Sequence, residues 1–112
     1  MGTTIRITTS VIKVIAALLA DVDADRYGLD LMRDTGLASG TLYPILNRLE
    51  GAGWLEAHWE DVDPVAEARP ARRYYRLTPT GATAARHELA LLRQQLSQAN
   101  GVLGALGEVT FG

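Results

Sequence analysis

The sequence predicts a mainly α-helical protein that carries a small two-stranded β-wing and ends in a long helix. Three observations support this class. Apolar residues recur at helical spacing in three segments before residue 51, and two later runs alternate in the way that half-buried strands do. In the last third, the steps between apolar residues alternate between three and four. The chain has 112 residues, a length that suits one small domain with a thin core.

The first two helices have clear boundaries in the sequence. Thr9 or Ser10 can cap the first, because a hydroxyl accepts a free backbone N–H at a helix start. Its apolar stripe contains Val11, Val14, Ile15, Leu18 and Leu19. The second helix covers about residues 26–35 and ends at Gly36, with a third helix beginning at Ser39 as its N-cap. Two short helices joined by a glycine-containing turn are typical of a helix-turn-helix.

The third helix has an apolar face and a polar face. Its apolar residues are Leu42, Ile45, Leu46 and Leu49, and Gly51 and Gly53 end it. The side chains on or near the opposite face belong to Ser39, Thr41, Tyr43, Asn47 and Arg48. Hydroxyl, amide and guanidinium groups suit phosphate oxygens and base edges. This helix is therefore a candidate DNA-reading element, and the alternative is an ordinary solvated face.

Residues 54–60 and 73–78 predict an antiparallel pair of strands. Their connection, 61–71, contains two prolines and is too long for a tight hairpin, which predicts a flexible wing tip. Acids in the connection would repel phosphate, whereas the stretch 68–87 contains no acid. That stretch carries Arg69, Arg72, Arg73, Arg76 and Arg86. We therefore expect the returning, arginine-bearing side of the wing to contact DNA.

The last helix begins at Thr78 as N-cap, with Pro79 at the first helical position. Its apolar residues form a heptad seam of Ala82, Ala85, Leu89, Leu92, Leu96, Ala99, Leu103 and Leu106. Such a seam more often covers a partner helix than a monomer's core, so it predicts dimerisation through Ala85, Leu89, Leu92, Leu96, Ala99 and Leu103. Gly101, Gly104 and Gly107 each weaken a helix by about 1 kcal/mol relative to alanine, which predicts an end near Asn100.

Composition limits the other classes of function. The net charge is −2 and the pI is about 5.6, whereas nucleic-acid binders are usually basic. The distribution of charge matters more than the net charge here, because the arginines cluster in one acid-free stretch. The chain has no cysteine, and its two histidines, His58 and His87, have no evident metal or catalytic partners. We expect neither an enzyme nor a cofactor or metal site. The apolar run 14–20 is too short for a membrane and no cleavable signal opens the chain, so a cytoplasmic protein is expected.

Several motifs in order resemble the PadR family of bacterial transcriptional regulators. They are Tyr27-Gly28, residues 40–44 (GTLYP), residues 48–50 (RLE), residues 73–78 (RYYRLT) and Gly81. The resemblance covers roughly residues 10–81. It implies a dimeric winged helix-turn-helix repressor that often responds to a small hydrophobic or aromatic effector. On this basis residues 10–78 form the DNA-binding domain, and 79–112 form the dimerisation helix and tail.

Two hypotheses for function follow. In the first, a homodimer binds a palindromic operator, with the third helix in the major groove. Arg72 and Arg73 of the wing hold the neighbouring phosphates or the minor groove, and the Tyr27 hydroxyl donates to a phosphate. The predicted DNA-binding residues are Tyr27, Ser39, Gly40, Thr41, Tyr43, Asn47, Arg48, Arg69, Arg72 and Arg73. In the second, the same scaffold serves only to assemble with other proteins. Salt-dependent binding to a palindromic duplex distinguishes them.

Overall fold

A computed structural model describes residues 5–107 of the chain as four helices and a three-stranded sheet. The elements are α1 (Thr9–Ala20), β1 (Arg26–Tyr27), α2 (Gly28–Thr35), α3 (Ser39–Gly51), β2 (Leu55–Trp59), β3 (Arg73–Leu77) and α4 (Pro79–Gly107). The strands lie in the order β1-β3-β2, and both pairings are antiparallel. The predicted mainly helical fold with a β-wing is confirmed.

The third strand corrects the predicted two-stranded sheet and the start of the second helix. Arg26 and Tyr27 do not begin α2 but pair with Tyr75 and Tyr74 of β3. Arg26 is held there from both sides, because its guanidinium donates to the backbone oxygen of Ala17 at 2.7 Å and forms an ion pair with Asp34. This strand ties the helix-turn-helix to the wing.

Two of the predicted helix caps are displaced by one residue. Thr8, rather than Thr9 or Ser10, caps α1, since its Oγ1 accepts from the backbone N–H of Val11 at 3.2 Å. Ala38 occupies the N-cap position of α3, and Ser39 is its first helical residue. The cap at Thr78 is confirmed, because its Oγ1 accepts from the N–H of Gly81 at 2.9 Å.

The core lies where α1 meets the other helices and the sheet. Leucines of α2 and α3 pack with the apolar stripe of α1, and β2 and β3 cover one end. The fully buried large side chains are Val11, Val14, Ile15, Leu18, Leu31, Leu42, Leu46 and Leu49. Ala82 and Ala85 at the start of α4 belong to the same core. The first turns of α4 are therefore fixed relative to α3.

The start of α4 is also fastened to the turn that follows α3. Gly53, in the turn after α3, has a φ of +80°, and its carbonyl accepts from the Thr78 hydroxyl at 2.7 Å. The backbone N–H of Thr78 donates to the oxygen of Trp54 at 3.0 Å. A Cβ at Gly81 would lie 2.0 Å from that same oxygen, so this close approach requires glycine. The α3–β2 turn and α4 thus form one rigid junction.

Beyond this junction α4 leaves the globule. The helix continues to Gly107 and not to Asn100, because glycine lowers helix propensity but leaves the backbone hydrogen bonds possible. The radius of gyration is 18.0 Å, against about 13 Å for a compact domain of this length. Residues 108–112 of the predicted tail lie outside the described residues. Within residues 5–107, no helix is long and apolar enough to cross a membrane.

Candidate nucleic-acid interface

The turn between α2 and α3 sets the direction of α3. Gly36 adopts a left-handed conformation with a φ of +72°, and its N–H bonds back to the oxygen of Met32 at 2.8 Å. The buried Thr35 hydroxyl donates to the carbonyl of Leu31 at 2.6 Å and accepts from the N–H of Leu37 at 3.2 Å. The turn is held on both sides, which orients α3 against the core.

The polar face of α3 is exposed, as the sequence predicts. Leu42, Ile45, Leu46 and Leu49 are buried beneath it. Ser39, Gly40, Thr41, Tyr43, Asn47 and Arg48 are all exposed. In the part of the chain that the structure describes, no hydrogen bond or ion pair engages the side chains of Thr41, Asn47 and Arg48. Their donors and acceptors are therefore available to a ligand, and they lie on one face of one helix.

Tyr43 differs from its neighbours on this face. It is 38% exposed, and its ring lies against the start of α2. A Cβ at Gly28 would lie 2.0 Å from the Tyr43 hydroxyl oxygen and 2.7 Å from Cζ. Gly28 therefore makes room for this ring. The aromatic side chain is turned toward the wing and does not project straight out of α3.

A cleft of about 230 Å³ separates α3 and the start of α2 from the wing, which consists of β2, β3 and their connection 60–72. The cleft is lined by Tyr27, Gly28, Leu29, Tyr43, Arg72 and Arg73. Four of these six residues belong to the predicted DNA-binding set. The fold thus brings Tyr27 and Arg73, which lie about 45 residues apart in the sequence, to the same cleft.

The hydroxyl of Tyr27 and the guanidinium of Arg69 both contact Glu60. Tyr27 donates to Oε2 of Glu60 at 3.3 Å, and Arg69 donates to Oε1 at 2.7 Å and to Oε2 at 3.3 Å. The pKa of Glu60 falls to about 2, chiefly because Arg69 donates to the ionised carboxylate. The pKa of Tyr27 is raised, first by burial and then by the nearby Glu60 charge. Both predicted DNA contacts are therefore already engaged inside the chain.

The remaining wing arginines fall into two groups. Arg73 forms an ion pair with Glu50 of α3 at 3.2 Å, and its guanidinium carbon lies 5.3 Å from the centroid of the Trp59 ring. Arg76 pairs with Asp25 at 2.5 Å. Arg72 is exposed and has no ion pair within residues 5–107. Of the four wing arginines, Arg72 is the one whose charge is not already balanced by a neighbour.

The connection at the wing tip is more ordered than the sequence predicts. Three backbone hydrogen bonds link Glu67 to Asp63, Ala68 to Val65 and Arg69 to Pro64, at 2.9, 3.2 and 3.1 Å. Ala68 adopts a φ of +53° within this turn. The turns bring Arg69 back to Glu60. The acidic partners of the wing arginines were not predicted from the sequence. Glu50 and Asp25 belong to segments 23 and 51 residues away from Arg73 and Arg76. Glu60 meets Arg69 only because the wing tip turns back on itself.

The predicted dimerisation residues lie in two different environments. Ala85 is fully buried within the subunit and Leu89 packs against the same core, so Ala85 has no surface to offer a partner. Leu92 is half-buried. Ala99 is exposed, as are Leu96 at 54% and Leu103 at 60%. The apolar seam thus continues as an uncovered strip on the projecting part of α4.

Comparisons with known proteins agree with this architecture. A profile described as the transcriptional regulator PadR-like family matches residues 17–87. A PadR family transcription regulator from Clostridium difficile is 21% identical, with a TM-score of 0.71 over 86% of this chain and 99% of its own. The Streptococcus mutans protein smu.1704 is 25% identical, with a TM-score of 0.69 over 89% of this chain and 94% of its own.

A third structure has the same fold at lower identity. Bordetella bronchiseptica BpsR, whose DNA binding is regulated by 6-hydroxynicotinic acid, is 17% identical, with a TM-score of 0.63 over 92% of this chain and 79% of its own. No curated protein sequence matches the chain. The matched profile spans α2, α3, the wing and the start of α4, which are the elements that build the exposed helix and the cleft. This chain therefore belongs to the PadR-like family of transcriptional regulators.

Proposed function

We propose that the protein is a homodimeric repressor that binds a palindromic DNA operator, with α3 in the major groove and the wing beside it. The exposed polar face of α3 carries this proposal. Thr41, Asn47 and Arg48 offer a hydroxyl, an amide and a guanidinium that have no partner among residues 5–107. These groups match the donors and acceptors on base edges and phosphates. The buried opposite face of α3 holds them in place.

Arg72 is the wing residue proposed to hold a phosphate. It lines the cleft next to Tyr27 and Gly28, and its exposed guanidinium has no acidic partner in residues 5–107. A phosphate of the backbone adjoining α3 would meet this charge. Arg69 and Arg73 stay in the proposed interface with a smaller role, because Glu60 and Glu50 already balance their charges.

The projecting part of α4 supports a dimer. One recognition helix reads few base pairs, whereas two related by a two-fold axis read half-sites about 34–36 Å apart. Leu96, Ala99 and Leu103 leave an apolar strip exposed in the single chain. Burying it against the same strip of a second copy removes apolar area from water at about 25 cal/mol per Å². We therefore place the interface on this strip, with Leu92 and Leu89 at its edge.

A small aromatic or hydrophobic effector completes the proposal. A groove of about 400 Å³ lies between the start of α1 and the middle of α4. It is lined by Ile7, Thr8, Thr9, Ile12, Glu88, Leu91, Leu92 and Gln95. The groove adjoins the proposed dimer strip, so a bound ligand could change how two copies meet. The structurally similar BpsR, regulated by an aromatic acid, supports this class of ligand.

Selection of bound duplexes from a random DNA pool tests the central claim. We expect a palindromic sequence to be enriched, with an affinity that falls steeply as salt rises. The selected duplex is then used in binding assays with and without aromatic acids, which tests for an effector. We expect an effector to release the DNA. Enrichment of no sequence, with weak binding that is the same for every duplex, would favour the alternative of a protein-assembly module.

A pair of substitutions on α4 tests the dimer. Leu96→Glu with Leu103→Glu would bury two unpaired charges between copies, at a cost of several kcal/mol, while leaving the monomer core untouched. We expect sedimentation to show a folded monomer that no longer binds the operator. Gln94→Glu with Ser97→Glu adds the same charge to exposed positions off the seam and should leave the dimer intact. A stable dimer in the leucine variant would place the interface elsewhere.

A further inference from the structure

We propose that Glu60 is a positioning residue of the DNA interface, which fixes the wing so that Arg72 faces the cleft beside α3. The inference rests on the proposed DNA-binding function. Glu60 does not itself bind DNA in this view, since its carboxylate repels phosphate. It acts through the segment that carries Arg72.

The contacts of Glu60 join three separate segments of the chain. Its side chain is 12% exposed and accepts from the guanidinium of Arg69, the backbone N–H of Arg72 at 2.8 Å and the hydroxyl of Tyr27. Arg69 lies at the end of the wing tip, Arg72 precedes β3, and Tyr27 is the N-cap of α2. One carboxylate thus couples both sides of the wing to the helix-turn-helix.

The link between Glu60 and Arg72 is reciprocal. The backbone N–H of Glu60 donates to the oxygen of Arg72 at 2.8 Å, while the Arg72 N–H donates to Oε1 of Glu60 at 2.8 Å. The Arg72 backbone is therefore fixed by two bonds just before the sheet begins. Arg72 lines the cleft together with Tyr27 and Tyr43. Truncation of the Glu60 side chain to alanine would leave this backbone with one bond in place of two.

The sign of the effect separates positioning from simple electrostatics. Glu60 puts a negative charge on the surface proposed to face DNA, so removing it should strengthen binding if charge alone matters. The same result is expected if Glu60 competes with phosphate for Arg69 and Tyr27. A positioning role predicts weaker binding when Glu60 is removed. The loss of the correct Arg72 position then outweighs the benefit of removing a negative charge.

The neighbouring acid Asp61 is the matched control. It is exposed, follows Glu60 directly, and makes no side-chain hydrogen bond or ion pair among the described residues. Asp61→Asn removes the same charge from nearly the same place without loosening the wing. Any difference between the Glu60 and Asp61 variants therefore reports on the contacts of Glu60 and not on its charge.

The experiment measures operator affinity of wild type, Glu60→Gln, Glu60→Ala and Asp61→Asn at several salt concentrations, with circular dichroism to show that each is folded. We expect Glu60→Ala to bind about tenfold more weakly, the effect of one lost charge-assisted hydrogen bond. Glu60→Gln should lose less, because its amide oxygen can still accept from the Arg72 N–H. Asp61→Asn should bind as wild type or slightly tighter. Equal or tighter binding by the folded Glu60 variants would overturn the proposal. A wild type that selects no duplex would instead refute the proposed function.

A double-mutant cycle with Arg72→Ala tests whether Glu60 acts through that residue. In the Arg72→Ala background, Glu60→Ala should cost no more than about twofold, because the contact it positions is already gone. The full tenfold loss in that background would mean that Glu60 supports the fold in general and not the Arg72 contact. The salt dependence gives a second criterion. The slope of log affinity against log salt should flatten in Glu60→Ala as it does in Arg72→Ala, whereas charge removal alone would steepen it.

Discussion

The exposed face of α3 and the wing both carry predicted DNA contacts, but they differ in how many of their polar groups are free. On α3 the side chains of Thr41, Asn47 and Arg48 lack partners inside the described chain. On the wing, Arg69, Arg73 and Arg76 each face an acid, and Arg72 alone of the four does not. A cluster of arginines in the sequence is therefore a poor measure of the charge that a surface offers.

The largest effect expected from this comparison lies on α3. Thr41→Ala and Asn47→Ala should each weaken operator binding by about 1–3 kcal/mol if the side chain reads a base, with little change in non-specific binding. Competition assays with operator and random duplex measure the two affinities. Gln94→Ala on the exposed side of α4 is the control and should change neither. Equal losses on both duplexes would assign Thr41 and Asn47 to phosphate contacts.

The wing should show a smaller and uneven response. Arg72→Ala should weaken binding to every duplex and flatten the slope of log affinity against log salt by about 1 per subunit. Arg69→Ala and Arg73→Ala should change the slope by less than half as much, because their acids already balance the charge. Titration with salt gives the three slopes. Equal slopes for all three variants would show that the ion pairs open when DNA binds.

The contact between Tyr43 and Gly28 predicts an effect that depends on both residues. Gly28→Ala places a methyl group against the Tyr43 ring, which must swing outward. We expect operator affinity to fall several-fold, with a stability loss below about 1 kcal/mol since the ring is partly exposed. In a Tyr43→Ala background the same substitution should have no further effect on affinity. A persistent loss there would place the cause in the α2 backbone.

The smallest expected effect is on stability in acid. The pKa of Glu60 is lowered from 4.5 to about 2, so its interactions stabilise the fold at pH values above about 4.5. This stabilisation should be lost as the pH falls from 4.5 through 2. Urea unfolding of wild type and Glu60→Gln should therefore differ by a constant amount from pH 8 to 5, and converge below that range. A difference that stays constant down to pH 2 would contradict the ionised contact.

The elements with local signals were predictable from the sequence. The apolar spacing of α1 and α3, the alternation of β2 and β3 and the cap at Thr78 all depend on neighbouring residues, and all are found in the structure. The two-residue strand β1 was not predicted, because Arg26 and Tyr27 owe their conformation to β3, about 50 residues away. Local propensity contains no information about such a pairing.

The residues of the candidate site were predictable from the sequence, but the ion pairs and hydrogen bonds between them were not. The polar face of α3 follows from helical periodicity, and the structure exposes it. The partners of the wing arginines depend on how α2, α3 and the wing pack together. In the same way, the heptad spacing of α4 identifies an apolar strip without saying what covers it. Ala85 is covered by the subunit's own core, whereas Leu96 is exposed.

The junction at Gly81 has a mechanical consequence. The first residues of α4 are fastened to the α3–β2 turn, and the helix is about 43 Å long in total. The rest of α4 therefore acts as a lever arm attached beside α3. In the proposed dimer, a change of about 10° in the angle between two such arms swings the far ends by about 7 Å. The distance between the two copies of α3 would change with that angle. The operator's half-site spacing would then be set by the crossing of two helices that never touch the bases.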